Sequence, residues 1–262
     1  MFFLLAVFCA VVVFPFLWMV LLSFKTQQEI YSANTFLPQD WTIKNYFTVF
    51  RRVPIIRWFW NSVLVTAVAS GIVLFTSTLV GFVFAKYNFR FKTSLFWFIL
   101  ATMMVPAQTT MIPSFLLITN IGLYDRLPSL IVPGMVGGFG IFLCRQFIAD
   151  IPDSLCEAAL IDGAGPFYIY FRIIVPLIRP AIGALAIFNF LQYWNDYMNP
   201  LLYLNKPERM TMSLAITFFS SQHGSDTGAV MAAATLVMLP VTIVFLIFQK
   251  QFISSIAITG MK

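Results

Sequence analysis

The sequence predicts an all-α integral membrane protein of six transmembrane helices, and three observations carry that prediction. Apolar residues fill 60% of the chain against 10% charged, and mean hydropathy is +0.87; a soluble domain carries about a quarter charged residues. Six runs approach the roughly 20 mainly apolar residues that cross a hydrocarbon core of ~30 Å as helix. The runs lack period-two alternation, which favours helices over a closed barrel. Residues 1–262 are read as one transmembrane domain.

The first span covers about 2–24. It lacks a basic leader and an A-x-A cleavage site, and it exceeds the ~7–15 apolar residues of a signal-peptide core, so it is read as a retained span. The chain opens inside it, which implies a short basic tail upstream. The second span, about 61–85, carries Ala67/Gly71 and Ser77/Gly81 at four-residue spacing, a pattern that permits close helix approach. In the third, about 94–118, Pro106 and Pro113 are expected to interrupt the helix around Gln108-Thr109-Thr110. The fourth, about 129–148, holds Pro133-Gly134, Gly137-Gly138 and Gly140. Breaks of this kind at membrane depth need protein or a cavity to satisfy the backbone. The fifth and sixth spans are placed at about 178–204 and 228–249.

The loops differ in kind. Residues 25–60 form a long polar loop with Trp41, Trp58 and Trp60, and residues 86–93 a short basic turn with Lys86, Arg90 and Lys92. Residues 119–128 and 205–227 return to the face of the 25–60 loop, whereas 149–177 is the longest loop on the side of the basic turn. Even topology distributes eight Lys and Arg to each face, so the positive-inside rule leaves orientation open. The net charge of +6 is scattered, where a nucleic-acid binder would gather it on one face. Cys9, Cys144 and Cys156 form no C-x-x-C pair, and His223, the single histidine, lies in a polar loop. Neither a metal site nor a catalytic group is expected from them.

The 149–177 loop is the most informative segment. Pro152 and Asp153 are helix-start signals, with Asp153 able to cap the following turn. Residues 154–162 favour helix, Gly163 suits the left-handed position that ends one, and Pro166 opens a second stretch over about 167–174. A helix–turn–helix outside the bilayer results. A helix lying on lipid is typically rich in Lys and Arg on its polar face; this loop has acids and no base between Asp150 and Phe171, which suits a docking surface for another protein.

Glu157-Ala158-Ala159, three residues, Gly163, nine residues, Ile173, one residue and Val175-Pro176 resemble the EAA signature of binding-protein-dependent ABC importer permeases. Val175 stands where the usual pattern has Leu. Asp162-Gly163-Ala164, Pro176–Ala181, Tyr193-Trp194-Asn195-Asp196, Pro200-Leu201-Leu202, Ser23-Phe24-Lys25, Phe36-Leu37-Pro38, Asn45-Tyr46 and the closing Thr259–Lys262 are similar to the carbohydrate-uptake branch. Length and the single long loop resemble the smaller permease subunit of maltose-type transporters.

The resemblance implies a permease subunit, not an enzyme, in a bacterial-type cytoplasmic (inner) membrane. Its implied partners are a second homologous permease, two ATPase subunits that carry ATP and Mg, an extracytoplasmic solute-binding protein, membrane lipid and a sugar, with no nucleic acid. The 149–177 loop would be a cytoplasmic coupling helix. Glu157 would contact a basic ATPase residue, Ala158 and Ala159 would allow close seating, Gly163 would set the bend, and Asp162 would complete the ATPase-facing set. The Thr259–Lys262 tail would be a further ATPase contact. The chain carries no Walker-type phosphate loop, so no cofactor is expected on it.

In the fifth span Asn189, Gln192, Tyr193, Asp196 and Asn199 have offsets that would place them along one helical face. An acid within a span is a functional-site hypothesis by default. The stripe either lines the translocation path or fixes packing against the partner permease; Asp196, near the outer end, could equally serve as a wet cap. The rival readings are import of a polyol or glycerol phosphate, a membrane-embedded lipid-modifying enzyme, and a secondary transporter. The first calls for basic residues in the cavity, with Arg145 and Arg179 as candidates. The second requires convergent acids or metal ligands, and the third inverted repeats.

Overall fold

The computed structural model describes residues 2–32, 35–221 and 226–259. Among them the regular elements are all helical. Three helices are long and apolar enough to cross a membrane as they stand: Phe2–Ser23, Ile55–Lys86 and the Thr227–Ile247 portion of Thr227–Thr259. Three further crossings are bent pairs. Lys92–Thr102 meets Ala107–Asn120 at 96°, Leu127–Gly134 meets Gly138–Ala149 at 46°, and Pro166–Leu177 meets Arg179–Trp194 at 79°. With each pair counted as one span, the six crossings follow the order read from the sequence. His223 and residues 260–262 of the tail lie outside the described residues.

Each bend has a local cause. At the first, Pro106 is extended (φ −60°, ψ 132°) and biases Val105 away from helix. The hydroxyls of Thr109 and Thr110 turn back onto the carbonyls of Pro106 and Ala107, at 2.7 and 2.9 Å. Pro113, expected to interrupt as well, stays inside the Ala107–Asn120 helix, where one lone proline forfeits a single backbone bond. At the second bend the extended Gly137 separates a short 3₁₀ segment from the next helix. At the third, Ile178 departs from helical geometry (φ −96°, ψ 16°) just before Arg179-Pro180, where proline suits a first turn.

Several boundaries differ from the sequence reading. The second span starts at Ile55, so residues 55–60 are helix rather than loop; Ile55, Ile56, Trp58, Phe59 and Trp60 extend its apolar run. The 205–227 segment contains a helix, Leu214–Ser221, built from its only apolar stretch. The fifth span ends at Trp194, and Met198–Tyr203 is a separate short helix.

The chain divides into two compact units. The first comprises Met1–Ser62, Asp196–Leu201 and Asn205–Phe245. There Asn45, on the Lys44–Arg52 helix, donates to the carbonyls of Ser23 and Lys25 at 2.8 and 2.9 Å. Its amide also lies where a side chain at Gly228 would fall, 2.6 Å from Oδ1. One amide thus joins the end of the first span to the start of the sixth. Trp58 is fully buried and donates its indole N–H to the Pro207 carbonyl. By contrast, the first span is uncovered along most of its length, Phe2 through Leu17 being exposed.

The second unit comprises Val63–Asn195, Leu202–Leu204 and Leu246–Lys262. Two buried clusters hold it. Val65, Ala69, Ile118, Leu130, Ile131, Tyr203 and Leu204 form one. Phe82, Cys144, Ile148, Ala159, Ile169, Tyr170, Ile174, Ile178, Ala181 and Leu185 form the other. Close approach runs through glycine: a Cβ at Gly81 would lie 2.8 Å from that of Cys144, whereas Gly71 has nothing within 4 Å. Of the two small-residue pairs in the second span, only Ser77/Gly81 therefore makes a helix contact.

Candidate functional site

The loop between the fourth and fifth spans folds as a helix over Asp153–Ile161. Pro152 precedes it, extended, and no side chain caps its amides. The expected cap from Asp153 is therefore absent, because Asp153 is already the first helical residue and its carboxylate points elsewhere. It accepts from Lys86 Nζ at 2.6 Å, and Lys86 also donates to the Ile151 carbonyl. That hydrogen bond, and then the charge behind it, hold the Asp153 carboxyl below its ordinary range. An acid in a first turn also complements the helix dipole.

The C-terminus closes as the sequence indicated. Gly163 is left-handed, at φ +83°. The Gly163 amide donates to the Leu160 carbonyl at 3.0 Å and the Ala164 amide to that of Ala159 at 2.8 Å. These two bonds are the Schellman pair that satisfies the last carbonyls of a helix.

The helix is two-faced. Ala159 is 9% exposed and packs in the cluster with Phe82, Cys144, Ile169 and Ile174. Glu157, Ala158, Leu160, Asp162 and Gly163 are exposed, and Ile161 is 86% exposed. The five residues expected to face a partner are therefore divided. Ala159 belongs to the chain's own core, and Glu157, Ala158, Asp162 and Gly163 lie on the free surface. The division follows from the 3.6-residue period, which turns consecutive alanines by about 100°.

The chain returns through Pro166–Leu177, a helical stretch four residues longer than the expected 167–174, with a π turn over Ile169–Ile174. Pro176 has no N–H for the Arg172 carbonyl, and the widened turn lies beside that missing bond. Tyr170 is buried there, its hydroxyl 2.7 Å from that of Thr78 in the second span. The loop is thus attached to the second span by Lys86 with Asp153, by Tyr170 with Thr78, and by the Tyr170 ring against that of Phe82, 5.7 Å between centroids. Thr78 and Tyr170 had no role in the sequence reading, and Lys86 entered it only as part of the basic 86–93 turn. A base ending one span and an acid opening the next loop helix was the only signal, and it concerned Lys86 alone.

The polar stripe of the fifth span is not one helical face. Asn189, Gln192 and Tyr193 lie on Arg179–Trp194, but that helix ends before Asp196 and Asn199. Asp196 instead holds the start of Met198–Tyr203, accepting from the Asn199 amide at 3.2 Å and its side chain at 2.8 Å. Its own carbonyl accepts from Ser213 Oγ at 2.6 Å. Two cap-forming residues, Asn195 and Asp196, followed by Pro200, end the continuous helix that the stripe required. Tyr193 donates to the Gly134 carbonyl at 3.1 Å, Asn189 is buried with its Nδ2 unbonded, and Gln192 is exposed.

Comparison with known proteins places this geometry. The model of the family described as "Binding-protein-dependent transport system inner membrane component" matches residues 77–258. The arabinooligosaccharides transport system permease protein AraQ of Bacillus subtilis (strain 168) is 32% identical over 253 residues, 95% of this chain and 90% of that protein. The diacetylchitobiose uptake system permease protein NgcG of Streptomyces coelicolor is 31% identical over 258 residues, 97% of this chain and 85% of that protein. The crystal structure of a bacterial ABC transporter involved in the import of the acidic polysaccharide alginate includes a chain with the same fold. It has a TM-score of 0.85 at 22% identity, covering 94% of this chain and 93% of that chain. A match spanning all three bent crossings and the whole 149–177 loop leaves one assignment: the chain belongs to the binding-protein-dependent transport system inner membrane components, multi-pass permeases of ABC importers.

Proposed function

We propose that the Asp153–Ile161 helix is the element through which a separate ATPase drives this permease, with Glu157, Ala158, Asp162 and Gly163 on the contact surface. The observation that carries the reading is the division of that helix into an attached face and a bare one. Apolar side chains such as Ile161 stand uncovered beside an acid, outside the bilayer, which is what a docking surface for a protein with a basic cleft requires. On the opposite side Asp153 is held by Lys86 of the second span, and Ala159 lies in the buried cluster that includes Phe82 of that span. A push on the bare face reaches the bundle through buried contacts rather than through a flexible tether. Residues 86–93 and 149–177 then face the cytoplasm and residues 25–54 the outside.

In this reading the chain is one permease domain, the smaller of a pair, working with a homologous permease, two ATPase subunits that bind ATP and Mg, and an extracytoplasmic solute-binding protein. The cargo is a sugar, most specifically an oligosaccharide. Relatives named for arabinooligosaccharides and diacetylchitobiose support this, as does a solved alginate transporter in complex with a pentasaccharide-bound periplasmic protein. For the translocation path the candidates Asn189, Gln192 and Tyr193 are retained. Asp196 and Asn199 are assigned to holding the Met198–Tyr203 turn.

The test is transport and ATP hydrolysis by the assembled importer in proteoliposomes. Glu157→Gln and Gly163→Ala should each lower the sugar moved per ATP hydrolysed while the complex still assembles. Normal stoichiometry in both variants would remove the coupling assignment.

A further inference from the structure

Arg145 lies in the fourth span, four residues before its helix ends at Ala149. Its guanidinium stacks over the Phe96 ring, 4.2 Å from the centroid, and its buried Nε has no acceptor. Three ion pairs occur among the described residues, Lys25–Glu29, Arg52–Asp226 and Lys86–Asp153, and Arg145 is in none of them. A guanidinium within a span is costly unless something pairs with it, and the Arg145 side chain is only part-buried, within reach of a group outside the chain.

A second base lies on the same side of that ring, and a third stands two residues before it in the sequence. Phe96 is on the Lys92–Thr102 helix, so Lys92 is one turn from the stacked ring on the same side. Arg90 precedes it in the turn and stacks on Phe91 at 4.9 Å. Among the described residues Lys92 reaches the Asn88 amide oxygen, at 3.5 Å. Asp153, the acid whose field Lys92 shares, is already bonded to Lys86. To either side of Phe96 on this helix the surface is apolar and uncovered: Leu95 and Trp97 are 48% and 66% exposed. An exposed tryptophan sits where acyl chains begin.

We propose that Arg90, Lys92 and Arg145 form a binding site for the phosphate of an anionic phospholipid, in the leaflet at the Lys86 end of the spans. Basic pockets between spans at the membrane boundary recruit such headgroups, and the arginine fork matches phosphate oxygens in pairs. The exposed Leu95 and Trp97 select lipid over a soluble phosphate, because acyl chains cover them and a free anion cannot. The inference depends on the membrane topology alone and is independent of the coupling assignment.

The test uses the full chain, assembled with its partner subunits, in nanodiscs of phosphatidylcholine with or without phosphatidylglycerol. Native mass spectrometry after extraction should show retained phosphatidylglycerol, falling about fivefold in Arg145→Gln and by less in Lys92→Gln. Arg51→Gln, in the 25–54 loop, should leave it unchanged. As a readout that needs no variant to fold, amide exchange over residues 90–98 of the unmodified protein should slow with phosphatidylglycerol. It should not respond to inorganic phosphate or glycerol phosphate. Equal lipid retention in the Arg145 variant overturns the proposal. So does protection by the free anions, or full protection in phosphatidylcholine alone, which would assign the partner to a carboxylate of another subunit.

Discussion

Lys86, the last residue of the second span, donates to the Asp153 carboxylate at 2.6 Å and to the Ile151 carbonyl. A single ammonium thereby binds the end of a membrane-crossing helix to both sides of Pro152, where the loop helix begins. Its side chain is 6% exposed against 76% for Asp153, so the base is fixed and the acid is held to it. Lys86→Met should therefore weaken coupling more than Asp153→Asn, since Asp153→Asn leaves the Ile151 bond in place. Sugar transport per ATP hydrolysed by the assembled importer, across a double-mutant cycle, checks the order and gives the interaction between the pair.

The same contact sets a pH dependence. Lys86 lowers the Asp153 carboxyl from its usual 3.8, through a hydrogen bond first and charge second. A depressed folded value means that the contribution is fully present above the unfolded value and is lost as pH falls through the folded one. The coupling energy from the double-mutant cycle should be flat through neutral and mildly acidic pH and decline only below that usual value. A decline centred near neutrality would assign the effect to another group.

Gly163 requires a left-handed backbone, and a Cβ there would meet nothing within 4 Å. The cost of substitution is thus conformational rather than steric. Gly163→Ala should destabilise by about 1–2 kcal/mol, and Gly163→Asn by less, since Asn tolerates this region. Thermal unfolding of the purified protein separates the two; equal losses would point to crowding instead.

Gly140 poses the opposite case. A Cβ there would overlap Ser77 Oγ and lie 2.9 Å from Ser77 Cβ and 3.1 Å from Leu185 Cδ2. Gly140→Ala should cost about 1–3 kcal/mol through forced separation of the spans. Gly183→Ala, with nothing within 4 Å of the added carbon, should be close to neutral. The difference in thermal midpoint between the two variants is the measurement.

Asp196→Ala removes the acceptor of both Asn199 bonds. A loss of about 1 kcal/mol is expected, the usual worth of a capping side chain. If the residue instead bound a passing sugar, transport affinity would change with stability intact.

Much of the loop was legible because its signals are local. Gly163 ends its helix for a reason visible in the residue itself, and Pro106 and Pro133-Gly134 lie at or next to the bends that they predict. The signature spacing around Glu157-Ala158-Ala159 and Gly163 led to the family. Other features depended on distant chain segments. Nothing local distinguishes Ala158 from Ala159, and burial of the second is decided by Ile169 and Ile174 on the returning strand of chain. The fifth span was drawn too long because residues 197–204 are as apolar as the helix before them, while Asn195 and Asp196, both cap formers, were read as part of a stripe. Tyr170 with Thr78 joins residues 92 positions apart, which no spacing rule anticipates.

The bare face of the Asp153–Ile161 helix is tested most directly by a photo-cross-linker at Ala158 in the complete transporter within native membranes. The expected product is an adduct with an ATPase subunit, formed from the cytoplasmic side and lost when that subunit is omitted. Labelling of Ala158→Cys by an impermeant reagent from outside intact cells, or adducts with lipid alone, would contradict it.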